Sequence, residues 1–453
     1  MMDPIGQRRQ FLRRAACFAA GLEAFSAAVC DAQPREGASA AKPASVAAQG
    51  SSNGQPAEPI ALVGGTVHPV AGPAIPNATL VIARGRIVAI GPQPEWPAGT
   101  RIVDLTDRHV YPGLFDASTN LGLSEVGSLP ETIDETEFGE ITPHVRALAA
   151  FNSASRSIPL ARASGVLVAL TAPSGSLISG RSAIVRLDGQ TKADMAVVAE
   201  AGVHVQWPSM RAESEWLADR PVAEQIVENA KRLAALGESF DQAAAYARAK
   251  RVAGSRHPLD ARWESLLPTL EARQPLIVEA EELAEIRAAA AFCESRGLRM
   301  ILLGGYDAPR CAALLRRREI PVIVAGTHRV PRRRSSAYDE AYTVPARLHS
   351  AGVKFCLSAS ESLGAAHLRN LAATAATAVA YGLPATEALR AVTLAPAEIL
   401  GVADRLGSLA VGKEATLFVT DGDPLRPETQ VLAAYIQGRA IDIDRPWRQR
   451  WRR

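Results

Sequence analysis

Aromatic residues make up only 5% of this 453-residue sequence and charged residues 21%. A surface poor in stacking rings and massed charge does not suit nucleic acid, which proteins grip with aromatic platforms and phosphate-neutralising clusters. The balance of 50 basic and 47 acidic residues leaves a net charge of +3, much of it in the two termini. No nucleic-acid partner is therefore expected. Cysteine is scarce as well, with five in all. Cys17 and Cys30 fall in the N-terminal segment, and Cys293, Cys311 and Cys356 each sit in an apolar stretch. An odd number in such surroundings implies buried thiols and excludes a disulfide framework or zinc knuckle. No apolar run in the body reaches the roughly 18 residues that a spanning helix needs, so no membrane span is expected. What is plentiful is apolar residues, 47% of the chain, enough to fill one barrel-sized domain and a smaller companion.

Residues 1–32 read as an address. Arg8-Arg9-Gln10-Phe11-Leu12-Arg13 precedes a moderately apolar run from Ala15 to Val29, the pattern of a twin-arginine export signal with cleavage after Ala32 and a periplasmic or exported destination. Glu23 inside the run leaves open a basic amphipathic helix on a cytoplasmic protein. Residues 33–58, rich in Ala, Ser, Gly, Pro and Gln, cannot bury enough apolar surface to fold and are expected to form a disordered linker. The arginine-rich residues 444–453 read as a solvated basic tail.

Between these ends the punctuation changes twice. Residues 59–108 carry short alternating runs broken by Gly64-Gly65, Gly85 and Gly91, and residues 405–443 carry similar runs around Asp421-Gly422-Asp423-Pro424 and Gly438. Neither set closes a core alone, so the two are expected to form one discontinuous β-domain. In residues 109–404 apolar strand-like runs (Val110–Phe115, Val166–Leu170, Leu276–Val278, Met300–Leu303, Pro321–Ala325 and Lys354–Leu357) alternate with Ala-rich helical stretches. Strands near Ala183–Leu187 and Val203–Gln206 are weaker. That alternation implies a parallel sheet covered on both faces and, repeated so often, a (β/α)8 barrel.

The run Val110-Tyr111-Pro112-Gly113-Leu114-Phe115-Asp116-Ala117, preceded by Gly85-Arg86-Ile87-Val88-Ala89-Ile90-Gly91, resembles the amidohydrolase superfamily, in particular its imidazolonepropionase-like branch. The C-terminal half extends the likeness through Glu387-Ala388-Leu389-Arg390-Ala391-Val392-Thr393-Leu394-Ala395-Pro396, Asp404-Arg405-Leu406-Gly407-Ser408-Leu409 and Val411-Gly412-Lys413-Glu414-Ala415. The resemblance covers about residues 60–442. It implies a TIM-type barrel with a β-domain, and hydrolysis of non-peptide carbon–nitrogen bonds, as in cyclic amides and amidines, by water activated on zinc or another divalent metal.

The positions that would hold that metal carry other residues. A His-x-His pair is expected just after the first barrel strand, where Ser118 and Asn120 stand. A histidine expected at the end of the Leu276–Val278 strand is replaced by Glu279, with Glu281 two residues on. The next strand ends in Gly304-Gly305, and the family's aspartate aligns near Ser360. A catalytic metal keeps at least three protein ligands and an open position, and Glu279 is the one candidate among these five. No metal cofactor is therefore expected, and Ser118 and Asn120 are expected to hydrogen-bond one another. Of the eight histidines, His68, His109, His144, His204, His257, His328, His349 and His367, His328 is the one expected at the barrel mouth. It joins Glu281 as a ligand-pocket candidate.

Two loops should overhang that mouth. One is acidic (Glu131, Asp134, Glu135, Glu137, Glu140), suited to a cation or basic ligand or simply solvated. The other is small and glycine-bearing (Gly175 to Gly180), with backbone amides that could meet an anion. Three readings remain: a hydrolase with a shifted site using Glu279 and His328, a non-catalytic relative that keeps the pocket for a small-molecule ligand, and an exported structural protein. No oligomeric interface is legible.

Overall fold

The computed structural model describes residues 58–212, 220–359 and 364–443. The expected export signal, the linker except Glu58, the basic tail and Ser360 lie outside the described residues.

Two eight-stranded sheets organise the chain. The first is built from both ends of the described chain. Its strands are β1 (Ile60–Val67), β2 (Ile75–Ala83), β3 (Arg86–Gly91), β4 (Arg101–Asp104), β5 (His109–Pro112), β14 (Leu417–Thr420), β15 (Val431–Ile436) and β16 (Arg439–Ile441). They run in the order β16-β15-β14-β5-β1-β2-β3, with β4 also on β1. The Gly64-Gly65 pair interrupts the ladder without ending β1: pairing with β2 slips between Leu62 and Gly65, as at a bulge. One apolar cluster, including Leu62, Leu80, Ile87, Val110, Leu417 and Tyr435, joins the two chain ends. The sheet therefore exists because neither terminal segment can bury its apolar face alone.

His109–Pro112 pairs in this first sheet, against β14 and β1, so passage into the second sheet comes at Gly113. There a Cβ would press on Leu167 at 2.8 Å, which leaves room for nothing larger than glycine. The second sheet takes β6 (Leu114–Thr119), β7 (Val166–Thr171), β8 (Ile178–Arg186), β9 (Ala196–Gln206), β10 (Leu276–Ala280), β11 (Met300–Gly304), β12 (Val322–Ala325) and β13 (Phe355–Ser358) in chain order. β13 returns to pack beside β6, nearly closing a barrel.

One strand departs from the all-parallel expectation. β8 runs antiparallel to both neighbours, whereas the other adjacent pairs are parallel. The cause is loop length. A parallel return needs a crossover of a dozen or more residues, but residues 172–177 and 187–195 are too short to carry one, and the chain turns back as hairpins.

Helices cover the outside, among them α1 (Val222–Ala253), α2 (Leu283–Ser295), α3 (Glu340–Ser350) and α4 (Leu371–Ala380). Their alanines and leucines pack against outward strand residues such as Val203, Val205, Val278, Leu302 and Leu357. Inward residues of the same strands, including Phe115, Val168, Ile277, Ile301, Ile323 and Cys356, fill the barrel as a separate core. Cys293, Cys311 and Cys356 are buried free thiols, raised in pKa by burial. Among the described residues no helix is long and apolar enough to cross a membrane.

Candidate functional site

The strand ends of β6, β9, β10, β11 and β12, with the two mouth loops, enclose a cavity of about 200 Å³ above the apolar barrel filling. This is where functional groups gather in such barrels. Ser118, Asn120, Glu279 and Gly304 all line it, so four of the five positions singled out by alignment meet in one place.

Ser118 and Asn120 reach the cavity because β6 is irregular. Its pairing with β7 slips between Asp116 and Thr119, and the Ser118 amide donates to Asp116 Oδ1 at 2.9 Å. Asp116 in turn accepts from Ser358 Oγ at 2.9 Å and from the Ala359 amide at 3.0 Å. The one hydrogen of the Ser358 hydroxyl is shared with the Ser118 carbonyl oxygen, 2.8 Å away. A single fully buried carboxyl therefore laces the first strand to the last. Burial raises its pKa to about 6, while those donors pull the other way.

Asn120 does not bond Ser118, as the sequence had suggested. Its Nδ2 donates to Glu135 Oε2 at 2.6 Å, and its Oδ1 accepts from the Ala365 amide at 2.8 Å. Both ends of the amide are thus engaged, one by the acidic loop and one by the segment after β13. Glu135 is the member of the acidic run that turns into the cavity. Glu140, by contrast, pairs outside with Arg232 at 3.1 Å. The small loop lies against this one, with the Ser174 amide donating to the Glu135 carbonyl at 2.8 Å. It contributes Ala172, Pro173 and Ser174 to the lining.

Glu281 and His328 are not among the lining residues. Glu281 is held behind the wall: its Oε1 pairs with Arg329 at 2.8 Å, and its Oε2 accepts from the Tyr306 amide at 2.8 Å. A capping carboxylate, Glu285, receives the backbone amides of Glu281 and Glu282 at 3.2 and 3.1 Å where α2 begins. This fixes the chain so that Glu279 faces the cavity and Glu281 faces away. His328, three residues beyond β12, is exposed and bonded through Nε2 to Thr377 Oγ1 of α4 at 2.7 Å.

The histidine that does enter the site is His204. It pairs in register with Ile277, whose side chain belongs to the barrel filling, so it points inward and lines the cavity floor. It is 6% exposed, burial lowers its pKa to about 4, and its Nε2 has no hydrogen-bond partner among the described residues. Gln206, two residues on, lines the same wall. The signal was present in the alternation Val203-His204-Val205-Gln206, two polar residues on one face of a strand whose other face is apolar.

The described residues contain no group of three or more His, Cys, Asp or Glu side chains placed to hold a metal ion. The donor types agree. Ser118 and Asn120 supply neutral oxygen where imidazole is expected, and Gly304 supplies nothing. Three side chains of ligating type, Glu135, His204 and Glu279, do line the cavity, but the described residues do not place them as a metal-binding group, so the lining does not fit the metal that the resemblance implies.

Comparisons with known proteins point one way. The sequence profile of the amidohydrolase family matches residues 298–441. An amidohydrolase of Hapsidospora irregularis, tasK, is 25% identical over 403 residues, covering 80% of this chain, which spans 39% of that relative's length. Among solved structures, an amidohydrolase from Thermotoga maritima MSB8 superposes with a TM-score of 0.75 at 24% identity, over 84% of this chain and 99% of that one. A molinate hydrolase gives a TM-score of 0.54 at 20% identity, over 86% and 96%.

Proposed function

Since the chain belongs to the amidohydrolase superfamily, we propose that it is a relative which keeps the barrel-mouth pocket to bind a small molecule and has given up metal-dependent hydrolysis. The observation that carries this reading is the replacement of the metal-binding donors. Ser118, Asn120, Glu279 and Gly304 come together at one cavity, yet only Glu279 is of a ligating type, and Asn120 is engaged at both ends. Chemistry that relies on a metal-bound hydroxide needs a cation held tightly enough to lower the water's pKa toward about 7. Hydroxyl and amide groups leave such an ion better solvated by water. What the cavity offers instead is a small, half-open concavity lined by both polar and apolar residues, with His204 on its floor, a form suited to a ligand site.

The shifted-site reading, with Glu279 and His328 as partners, is disfavoured by the engagement of His328 with Thr377 on the helical layer. Elemental analysis of the dialysed protein tests the proposal. Substoichiometric zinc, manganese and iron are expected. A near-stoichiometric metal that is lost together with a hydrolytic activity in Glu279→Ala would overturn it. Ligand-induced thermal stabilisation separates a binding protein from a purely structural one.

Export belongs to the same proposal and is supported by Arg8-Arg9 ahead of an apolar run. Replacing both arginines with lysine should hold the precursor inside the cell. Undiminished export of that variant counts against a twin-arginine route.

A further inference from the structure

Two loops on the rim of the barrel turn apolar side chains into solvent, and they carry opposite charge. The first follows β6. Between residues 125 and 140 the sequence has no lysine or arginine, Glu131, Asp134 and Glu137 are exposed, and among them stand exposed Val126 and Leu129 and a Phe138 that is 98% exposed. The second follows β12. Residues 330–338 include no carboxylate, Arg334 is exposed, and Val330 and Tyr338 are 82% and 75% exposed. Single apolar side chains in water are ordinary, but clusters of them rimmed by charge mark interaction surfaces. Tyrosine, phenylalanine and arginine are also the residues that such surfaces favour.

Both loops are held in shape. In the first, Ser124 bridges Ile133, the Glu125 amide donates to the Thr132 carbonyl at 3.1 Å, and the Asp134 amide donates to the Leu123 carbonyl at 2.7 Å. In the second, Arg333 grips Asp307 through two bonds of 2.8 and 2.7 Å, and the Arg332 amide donates to Tyr306 Oη at 3.4 Å. Surfaces fixed before contact lose little freedom on binding. Only β13 stands between β12 and β6 in the nearly closed sheet, so the two loops are close neighbours on one rim.

We propose that a second copy of this chain docks mouth to mouth, each acidic loop against the basic loop of the other copy. Two-fold pairing uses the same surface on both copies, so that surface must complement itself. A rim carrying one acidic and one basic loop does so, because a half-turn sets each loop on its opposite and covers the apolar side chains of both. A purely anionic or cationic partner would attract one loop and repel the other. The contact also roofs the cavity, since Glu135 of the first loop and Ala325 at the end of β12 line it. The pairing does not depend on what the cavity holds.

Sedimentation velocity on the full chain at micromolar concentration tests it. A dimer is expected, and high salt should weaken it by screening the loop charges. Phe138→Asp, Glu137→Arg and Arg334→Glu should each weaken dimerisation by about tenfold or more, with unchanged circular dichroism showing that the variants fold. Mixing the Glu137→Arg and Arg334→Glu chains should restore a dimer that neither forms alone, because each reversed loop then meets its complement. A parent chain that stays monomeric, or a dimer indifferent to all three substitutions, overturns the proposal. Failure of the mixture to pair overturns the loop-to-loop contact. Monomers that sediment with phosphatidylglycerol vesicles in an Arg334-dependent manner would assign the basic loop to a lipid surface instead.

Discussion

Glu281 holds the space that a side chain at position 304 would need: a Cβ added to Gly304 would lie 2.5 Å from Glu281 Oε1. The carboxylate cannot easily retreat, because Arg329 and the Tyr306 amide hold its two oxygens. Gly304 also has φ of 95°, where side chains are strained. Glycine at 304 and glutamate at 281 are therefore one packing solution, and they close the place where the resemblance expects a histidine.

Gly304→Ala should lower stability by about 1–3 kcal/mol from backbone strain alone, with a further loss from the displaced ion pair. Urea denaturation measures it. A variant as stable as the parent would mean that Glu281 moves freely and that the position is open.

A second ion pair ties the barrel to the terminal sheet. Glu414, just before β14, accepts from Arg186 of β8 through Nε at 2.8 Å and Nη2 at 3.2 Å, and from Arg405 Nε at 2.9 Å. The Arg186 and Glu414 side chains are 6% and 5% exposed. Glu414→Gln would leave a buried guanidinium short of its counter-charge, so a loss of about 3–5 kcal/mol is expected. Because β8 and β14 belong to different sheets, the cost should appear as a lower midpoint in a single denaturation curve. A change within error would show that solvent suffices to satisfy both guanidinium groups.

Much of this arrangement was legible from residue patterns. Glycine punctuation and alternation located most strands of both sheets, and alignment placed Ser118, Asn120, Glu279 and Gly304 at one cavity. Val110–Phe115, read as one barrel strand, divides at Gly113 between the two sheets, and the strands Arg101–Asp104 and Arg439–Ile441 were not read. Three features escaped for physical reasons. The reversal of β8 depends on how short residues 172–177 and 187–195 are, which an apolar-run pattern does not weigh. Glu281 looked like a pocket residue because it lies two positions after Glu279, but the strand ends between them and α2 begins, so period-two alternation no longer applies. His204 is one histidine among eight and stands in no motif, although the valines on either side already set its face.

Acidification should separate Asp116 from His204, because their shifts have opposite signs. Asp116 rises from 3.8 to about 6 on folding, so its contribution is fully present below about pH 4 and is lost as pH rises through 6. His204 falls from 6.5 to about 4, so its contribution is present above pH 6.5 and is lost as pH falls through 4. Each is on the order of 3 kcal/mol at most, at about 1.4 kcal/mol per pKa unit. In the parent the two largely offset one another between these limits. Asp116→Asn should therefore lose stability more steeply than the parent from neutral to mildly acidic pH, and His204→Gln less steeply. Parallel profiles in urea denaturation would contradict both assignments.

Putting histidines back at 118 and 120 should not restore a metal hydrolase. Asn120 bonds Glu135 at one end and the Ala365 amide at the other, and the backbone at Gly364 lies so close that a Cβ there would strike the amide oxygen. An imidazole at 120 breaks both bonds and crowds that segment. It leaves a backbone donor without its acceptor, which costs about 1–3 kcal/mol where water cannot substitute. The new pair would still lack a donor at position 304, which Glu281 closes. The Ser118→His, Asn120→His double variant is therefore expected to melt at lower temperature than the parent, to take up zinc weakly in equilibrium dialysis, and to hydrolyse no amide. Tight stoichiometric zinc uptake with new hydrolytic activity would mean that the two substitutions alone separate this chain from its metal-dependent relatives.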